Sequence, residues 1–503
     1  MVFFSLKELQ ALDSAEKMQR RTTKRPTGCY IPKRYILTLL GFLGMFNVYA
    51  MRVNLSVAIV AMVNDTGIQY DNETHQVAAC SELLSYEQEK NTDEYKGEQY
   101  NWDSKAQANI LGSFFYGYIL TQIPGGILAE KFGAKWLFGG GILITAVFSL
   151  LTPWAASMGT ALFIAVRVLE GFGEGVTFPA INAAISHWSP KVERSRISTI
   201  IFTGCQIGNV FSMPISGWLC STSLLGGWPS VFYIFGTIGC IWFVFWCFLV
   251  HETPAHHPTI SSDELLYIEQ NKDENPKEKP DIPWKDIFTS LPMWALIVSH
   301  FGQNFGFLIL LTEMPSYLSG ILHFNITTNG FLSALPYIAQ ALSAWVVSYV
   351  VDRIRKSGKM NITTIRKISN SIGLFGPAVC LVGITMCGCR PYLIVGLLSL
   401  ALALNGFIYS GFNITHIDMS PDFAGILYGI TNAISNVNGI LGPFIVGLFM
   451  QNGITVENWN AVFYITAAVY VVSAVFFDIF ASAERQSWGP KSEKKYCLED
   501  IKH

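Results

Sequence analysis

Charge is scarce in this chain. Asp, Glu, Lys and Arg make up 14% of its 503 residues, against about 25% in an average soluble protein. Hydrophobic residues make up 51% and the mean hydropathy is +0.36, which excludes an ordinary soluble domain. The ten cysteines fall mostly in apolar runs or tails, among them Cys205, Cys220, Cys240, Cys247 and Cys380. Cys387-Gly-Cys389 lacks the second pair that a zinc site needs, so the buried cysteines read as small apolar filler. There is no phosphate loop, no nucleophile–base pair and no metal cluster. An enzyme is therefore not expected, nor is a metal or other cofactor. The net charge is −2 and the basic residues are scattered over short loops, so no nucleic-acid partner is expected. The first 34 residues contain no cleavable signal, and the first apolar run is expected to act as its own uncleaved signal.

What is present is a series of twelve apolar segments: 35–63, 107–129, 135–153, 160–186, 198–220, 230–250, 291–318, 329–350, 367–387, 391–415, 423–449 and 460–481. Each is long enough to cross a bilayer core of about 30 Å. Two wide gaps interrupt them. Residues 64–105 are strongly acidic, with ten Asp or Glu against three Lys. Residues 251–289 are polar and rich in proline, and they divide the spans six and six. The expectation is an all-α membrane protein of 12 transmembrane helices in two six-helix halves. Its parts are an N-tail (1–34), a first half (35–250), a linker (251–289), a second half (290–482) and a C-tail (483–503).

Lys and Arg cluster before span 1 and in loops 2–3, 4–5 and 8–9. The positive-inside rule then puts the N-tail, the linker and the C-tail in the cytoplasm, and loop 64–105 outside or in a lumen. Glycosylation acceptors at Asn64, Asn72 and Asn325 fall on that outer side. Asn54 lies within a span and Asn361 in a cytoplasmic loop, so neither should be modified. Cys80 and either Cys389 or Cys387 share the oxidising side and can pair.

Within ALFIAVRVLEGFGEGVTFPAI (161–181), Arg167, Glu170 and Glu174 stand at i, i+3 and i+7, on one helix face. A charge at mid-membrane costs roughly 2.5 to 3.5 kcal/mol on insertion scales, so the three must face protein or a wet cavity. Either they pin helices together or they line an ion or substrate path. At about 1.5 Å per residue, Arg52 and Arg167 both lie roughly 10 to 15 Å below the outer surface, with Glu170 and Glu174 deeper. Two guanidinium forks at one level suit a carboxylate or phosphate. Buried carboxylates beside them suit proton coupling, because their proton affinity depends on burial and on a neighbouring charge. Gly171, Gly173, Gly175 and Pro179 permit close helix approach and a kink.

Further polar residues inside spans are candidates: Tyr116, Tyr118, Gln303 and Asn304 for binding, and His300 for a proton relay. Glu313, Asn413, His416, Asn432, Asn436 and Asn438 are softer ones. Loop 2–3 (Gly126, Glu130, Lys131, Gly133, Lys135) and loop 8–9 (Asp352, Arg353) carry the same acid–base pattern at matching places in the two halves, the mark of an internal duplication.

RVNLSVAIVAMV (52–63), GSFFYGYILTQIPGG (112–126), RVLEGFGEGVTFPA (167–180) and GILYGITNAISNVNGILGP (425–443) resemble the anion:cation symporter family of the major facilitator superfamily. That family holds sialin, the vesicular glutamate transporters and the type I sodium–phosphate cotransporters. The likeness runs over about residues 35–488 and is strongest to the sialin branch. It implies anion transport by alternating access, with Arg52 and Arg167 serving the anion and Glu170 and Glu174 serving proton coupling. It also implies that the loop 2–3 and 8–9 motifs latch neighbouring helices across the halves. The glutamate branch carries a histidine and an arginine where Leu111 and Gln303 stand here, so vesicular glutamate uptake is not expected. No acidic dileucine signal stands in the N-tail. The expected function is H+- or Na+-coupled transport of a small organic anion, by a monomer in an endolysosomal, vesicular or plasma membrane. Sodium-dependent phosphate uptake is the alternative, and a non-transporting anion sensor is the alternative of another class.

Overall fold

The computed structural model describes residues 30–64, 80, 97–271, 282–420, 423–451 and 453–486. Asn72 lies outside the described residues, and so does the side chain of Glu130. Among the described residues the chain is helical, with one isolated bridge between Val63 and Tyr100.

The helices are α1 (Lys33–Met62), α2 (Ser104–Phe132), α3 (Ala134–Met158), α4 (Thr160–Gly175), α5 (Thr177–Trp188), α6 (Lys191–Ser221) and α7 (Pro229–Leu249). After these come α8 (Ser262–Gln270) and α9 (Trp284–Thr289) in the linker, then α10 (Leu291–Gly320), α11 (Ile326–Lys356) and α12 (Ile362–Thr385). The series closes with α13 (Pro391–Asn405), α14 (Phe412–Met419), α15 (Ala424–Ser435), α16 (Asn438–Met450) and α17 (Val456–Phe480). Helix starts follow local chemistry. Asp103, Asn325, Asn361 and Thr455 each accept a first-turn backbone N–H, which stabilises a helix start by about 1 kcal/mol.

A helix covers each of the twelve expected segments. Among the described residues nine helices, counting 391–419 and 424–450 as one each, are long and apolar enough to cross a membrane. The other three segments, α2, α4–α5 and α6, are helical but carry more polar residues or are interrupted. The chain is a multi-pass, all-α membrane protein.

Three expected spans are not continuous. Span 4 breaks between α4 and α5 at Val176. Pro179 has no N–H for the Gly175 carbonyl four residues back, so the ladder fails one turn before the proline. Span 10 is divided into α13, a 3-10 turn at Gly406–Ser410 and α14. Span 11 is divided between α15 and α16 at Asn436–Val437. The polar, proline-rich linker holds α8, whose start is a capping arrangement: Ser261 Oγ accepts from Glu264 N at 3.1 Å. Glu264 in turn receives the backbone N–H groups of Lys33 and Arg34 at 2.9 and 3.1 Å. That contact ties the linker to the start of α1.

Two large apolar cores result, with a small third cluster of Val347, Val351 and Ile365. One lies within α1–α7. The other lies within α10–α17 but also takes in Val53, Val57, Phe114, Phe115, Tyr118 and Met213 from the first half. The halves meet along α6–α11, α2–α16 and α1–α10. A Cβ at Gly217 would sit 2.6 Å from the Ile326 carbonyl, and one at Gly330 would sit 2.6 Å from that of Met213. This seam is therefore closed by glycine on the side where α1 ends. On the same side a disulfide joins Cys80 to Cys389, with Cα atoms 5.4 Å apart, and Cys387 stays free.

Candidate functional site

Two buried ion pairs lie where α1, α2, α3 and α4 converge. Arg52 Nε donates to Glu174 Oε1 at 2.6 Å, and Nη2 of the same arginine also pairs with that carboxylate. Arg167 Nη1 pairs with Glu170 Oε2 one turn along α4. Glu170 is further held by Thr152 of α3, whose hydroxyl donates to Oε1 at 3.0 Å. All four charged side chains are buried; Arg52, the most accessible, is 9% exposed. In a low-dielectric interior the partners hold each other, and losing one of them is worth about 3 to 5 kcal/mol.

Aromatic rings complete the enclosure. The Arg52 guanidinium lies 4.7 Å from the rings of Tyr49 and Tyr118 and 5.3 Å from Phe114. Phe114 is also 5.4 Å from the Arg167 guanidinium, so one ring spans both cations. Glycine makes this approach possible: a Cβ on Gly171 would collide with the Phe114 carbonyl, and one on Gly117 with the Val168 carbonyl. α2 and α4 therefore touch backbone to backbone.

Between the arginines is a void of about 10 Å³, lined by Arg52, Ser56, Phe114, Arg167 and, from the second half, Leu311 and Thr312. It has room for about one water. Arg167 Nε and Glu174 Oε2 have no hydrogen-bond partner among the described residues. The arrangement can thus offer a guanidinium donor and a carboxylate acceptor to a guest once the halves part.

The other expected residues are distributed differently. Tyr118 joins the cluster and is 2% exposed, but Tyr116 does not. It is 46% exposed on the outward stripe of α2 that also carries Leu120 and Ile127, which removes it from the binding set in this conformation. Gln303 and Asn304 lie about 12 Å along α10 from Thr312, in a network of their own. Gln303 and Gln340 donate to Asn405 Oδ1 at 3.4 and 2.9 Å, and Asn304 donates to the Ser435 carbonyl at 3.0 Å. His300 is held in a second network of the other half. Its Nδ1 and the Nε2 of His416 each lie 3.0 Å from Thr431 Oγ1, so one hydroxyl bridges two imidazoles. Glu313 is buried, and its Oε1 has no partner among the described residues. Among the softer candidates, Asn438 donates to the Phe301 carbonyl at 2.7 Å and Asn436 to Asn432. His416 Nδ1 lies 3.3 Å from the Asn413 carbonyl.

Among the described side chains of the loop motifs, which leave out Glu130, the contacts stay within one half. Lys135 Nζ donates to the Cys247 carbonyl at 2.9 Å. Lys131 lies against the Phe132 ring and Arg353 against that of Tyr349, while Asp352 is exposed. Glu252 receives the N–H groups of Ala134 and Lys135 at 2.6 and 3.0 Å. Its carboxylate occupies the space where a side chain at Gly133, φ +95°, would point. Gly126 nears Pro179. Asn64 sits at the end of α1, and Asn325 caps α11 through its side-chain oxygen, 2.8 Å from Thr328 N.

Sequence reasoning missed Tyr49, Ser56, Thr152, Thr312, Gln340, Asn405 and Thr431. Tyr49 stands three residues before Arg52 and Ser56 four residues after it, so helical spacing put both on that face. The others come from separate helices and carry no such local signal.

A Major Facilitator Superfamily profile matches residues 39–443. Sialin from Homo sapiens is 45% identical, over 90% of this chain and 90% of its own. A putative inorganic phosphate cotransporter from Drosophila melanogaster is 41% identical over 92% and 88%, and vesicular glutamate transporter 1 from Xenopus laevis is 38% identical over 92% and 77%. Among solved structures, a bacterial homolog of the human lysosomal transporter Spinster, inward-facing and unoccupied, aligns with a TM-score of 0.67 at 13% identity, covering 90% of this chain and 97% of that one. A D-xylose–proton symporter aligns with a TM-score of 0.65 at 13% identity over 90% and 99%. These transporters share the fold of a chain whose central charged residues, Arg52, Arg167, Glu170 and Glu174, are buried between helices; the protein is a membrane transporter of the Major Facilitator Superfamily.

Proposed function

We propose that the protein moves a small organic anion, of the acidic-sugar or acidic amino acid type, together with protons by alternating access. One observation carries this reading: each of the two buried arginines at the centre is already matched by a buried glutamate, Arg52 by Glu174 and Arg167 by Glu170. The centre is neutral when empty. An anion that takes a guanidinium displaces a carboxylate and leaves one uncompensated negative charge in a low-dielectric site. Protonating the freed carboxyl restores neutrality, so anion and proton enter together. Glu174 is the better placed of the two for this exchange. Its Oε2 is unbonded among the described residues, whereas Glu170 is also held by Thr152. Glu170 acts as a positioning residue for Arg167. Tyr118 supports the Arg52 guanidinium, and Gln303 and Asn304 supply hydrogen bonds to the cargo after rearrangement.

The sequence pattern supports the remaining elements of the proposal. The termini and the linker face the cytoplasm, Asn64, Asn72 and Asn325 carry glycans, and the loop motifs at 126–135 and 352–353 govern opening. The protein works as a monomer in an endolysosomal, vesicular or plasma membrane.

The test is uptake by purified protein in liposomes, with labelled sialate, glucuronate, glutamate, urate and phosphate offered under an imposed proton gradient and then a sodium gradient. Proton-driven uptake of an organic anion is expected. Phosphate uptake driven by sodium alone would overturn it in favour of a second reading, sodium–phosphate cotransport. That reading draws on the phosphate-cotransporter relative and on the buried carboxylate of Glu313 in α10, whose Oε1 has no hydrogen-bond partner among the described residues.

A further inference from the structure

The second half contains a cavity apart from the central site. It lies between the last turns of α11 and the first turns of α12, with Phe407 beneath it, and has a volume of about 280 Å³. That is close to the lower end of small-molecule sites, about 300 Å³. Val347, Val351 and Ile365 form its buried back wall. Its mouth is outward: Val346 is 64% exposed, Val350 46% and Ile368 46%. Apart from Ser369 the lining is apolar.

The rim has the opposite character. Residues 352–361 carry Arg353, Arg355, Lys356 and Lys359 against a single acid, Asp352, and the four cations are exposed. Arg353 continues the Val346–Val350 stripe at helical spacing. The nearby Arg366 is already engaged, with Nε donating to Asp418 at 2.7 Å and Nη1 to the Ser410 carbonyl at 2.8 Å.

The matching loop of the first half makes a useful contrast. There the chain's own Glu252 supplies a carboxylate to the start of α3. At the start of α12 the cap is the neutral Asn361.

We propose that this crevice binds one anionic phospholipid, an acyl chain lying in the slot between α11 and α12 and the headgroup held by Arg353, Lys356 and Lys359. The slot opens sideways through the exposed apolar side chains of Val346, Val350 and Ile368, a surface that acyl chains would cover. The rim lies on the side with excess Lys and Arg, which faces the leaflet richer in anionic lipid. The slot accepts any acyl chain, so discrimination comes from the rim. This inference depends on the chain spanning a membrane and not on which anion it carries.

The test is native mass spectrometry of the full-length purified protein mixed with phosphatidylserine or phosphatidylcholine. It is paired with photocrosslinking from a phosphatidylserine probe bearing a diazirine on its acyl chain. Wild type should retain phosphatidylserine preferentially and crosslink within residues 346–372. Arg353→Gln/Lys356→Gln/Lys359→Gln should reduce the preference by about fivefold per charge removed. Ile368→Trp, which fills the mouth without altering charge, should abolish the crosslink. Equal retention of both lipids, a preference that survives the triple substitution, crosslinks elsewhere, or displacement of phosphatidylserine by a sterol would each overturn the proposal.

Discussion

The two halves distribute buried polarity differently. The first half buries four charges, Arg52, Arg167, Glu170 and Glu174, in two closed pairs. The second half also buries charge, in Glu313 and the Arg366–Asp418 pair, but adds networks of neutral groups: Gln303, Gln340 and Asn405 share hydrogen bonds, and Thr431 joins His300 to His416. A hydrogen bond of that kind is worth about 1 kcal/mol and can be exchanged for another. A buried ion pair yields only to another charge. On the proposed function, the first half detects that the cargo is an anion, and the second half reads its hydroxyl and amide pattern.

The sharpest way to break this contrast is Arg167→Lys, which keeps the charge but loses the planar fork. Transport in liposomes should fall by about 100-fold or more, the equivalent of about 3 kcal/mol from an opened buried pair. Near-normal flux would move anion recognition to the second half. Glu174→Gln separates coupling from carriage: concentrative uptake should disappear and its pH dependence flatten, while exchange of labelled for unlabelled anion continues. If the pH profile stays unchanged, the proton travels by another carboxylate, with Glu313 next to be substituted.

Glu170→Gln sharpens the comparison within α4. Its loss should appear as stability, about 3 kcal/mol in detergent unfolding, with the pH profile retained; a lost pH profile at full stability would exchange the roles of the two glutamates. The smallest effect is expected of Thr431→Val. Removing the hydroxyl between His300 and His416 should raise KM by a few-fold, in line with about 1 kcal/mol per hydrogen bond, and leave proton coupling intact. A flattened pH profile in that variant would give the histidine pair a share in coupling.

Much of the central site was legible in the sequence because it obeys local spacing. Arg167, Glu170 and Glu174 share a helix face, and a rise of 1.5 Å per residue put Arg52 at the level of Arg167; both line one void. Tyr116 and Tyr118 illustrate the limit. They stand two residues apart in an apolar run, and one is 46% exposed while the other is 2% exposed. Periodicity tells which residues share a face, but in a membrane the lipid side is as apolar as the core, so composition does not say which face turns inward. The α8 helix was missed, although Ser261-x-x-Glu264 carries a capping signal within the polar linker. The break at Val176 was signalled by Pro179, but its position depended on which carbonyl the proline leaves without a partner.

Membrane residence, the all-α architecture and the burial of a charged cluster in span 4 follow from the sequence alone. Apolar runs of that length belong in a bilayer, and an ionised group there must find partners. Which partners was decided by tertiary structure. Arg52 and Glu174 are 122 residues apart, Glu170 and Thr152 face each other across two helices, and Cys80 selects Cys389 over Cys387. Such pairings arise from close helix approach at glycines such as Gly117 and Gly171. Packing at that scale is a property of two surfaces meeting, which neither segment encodes by itself.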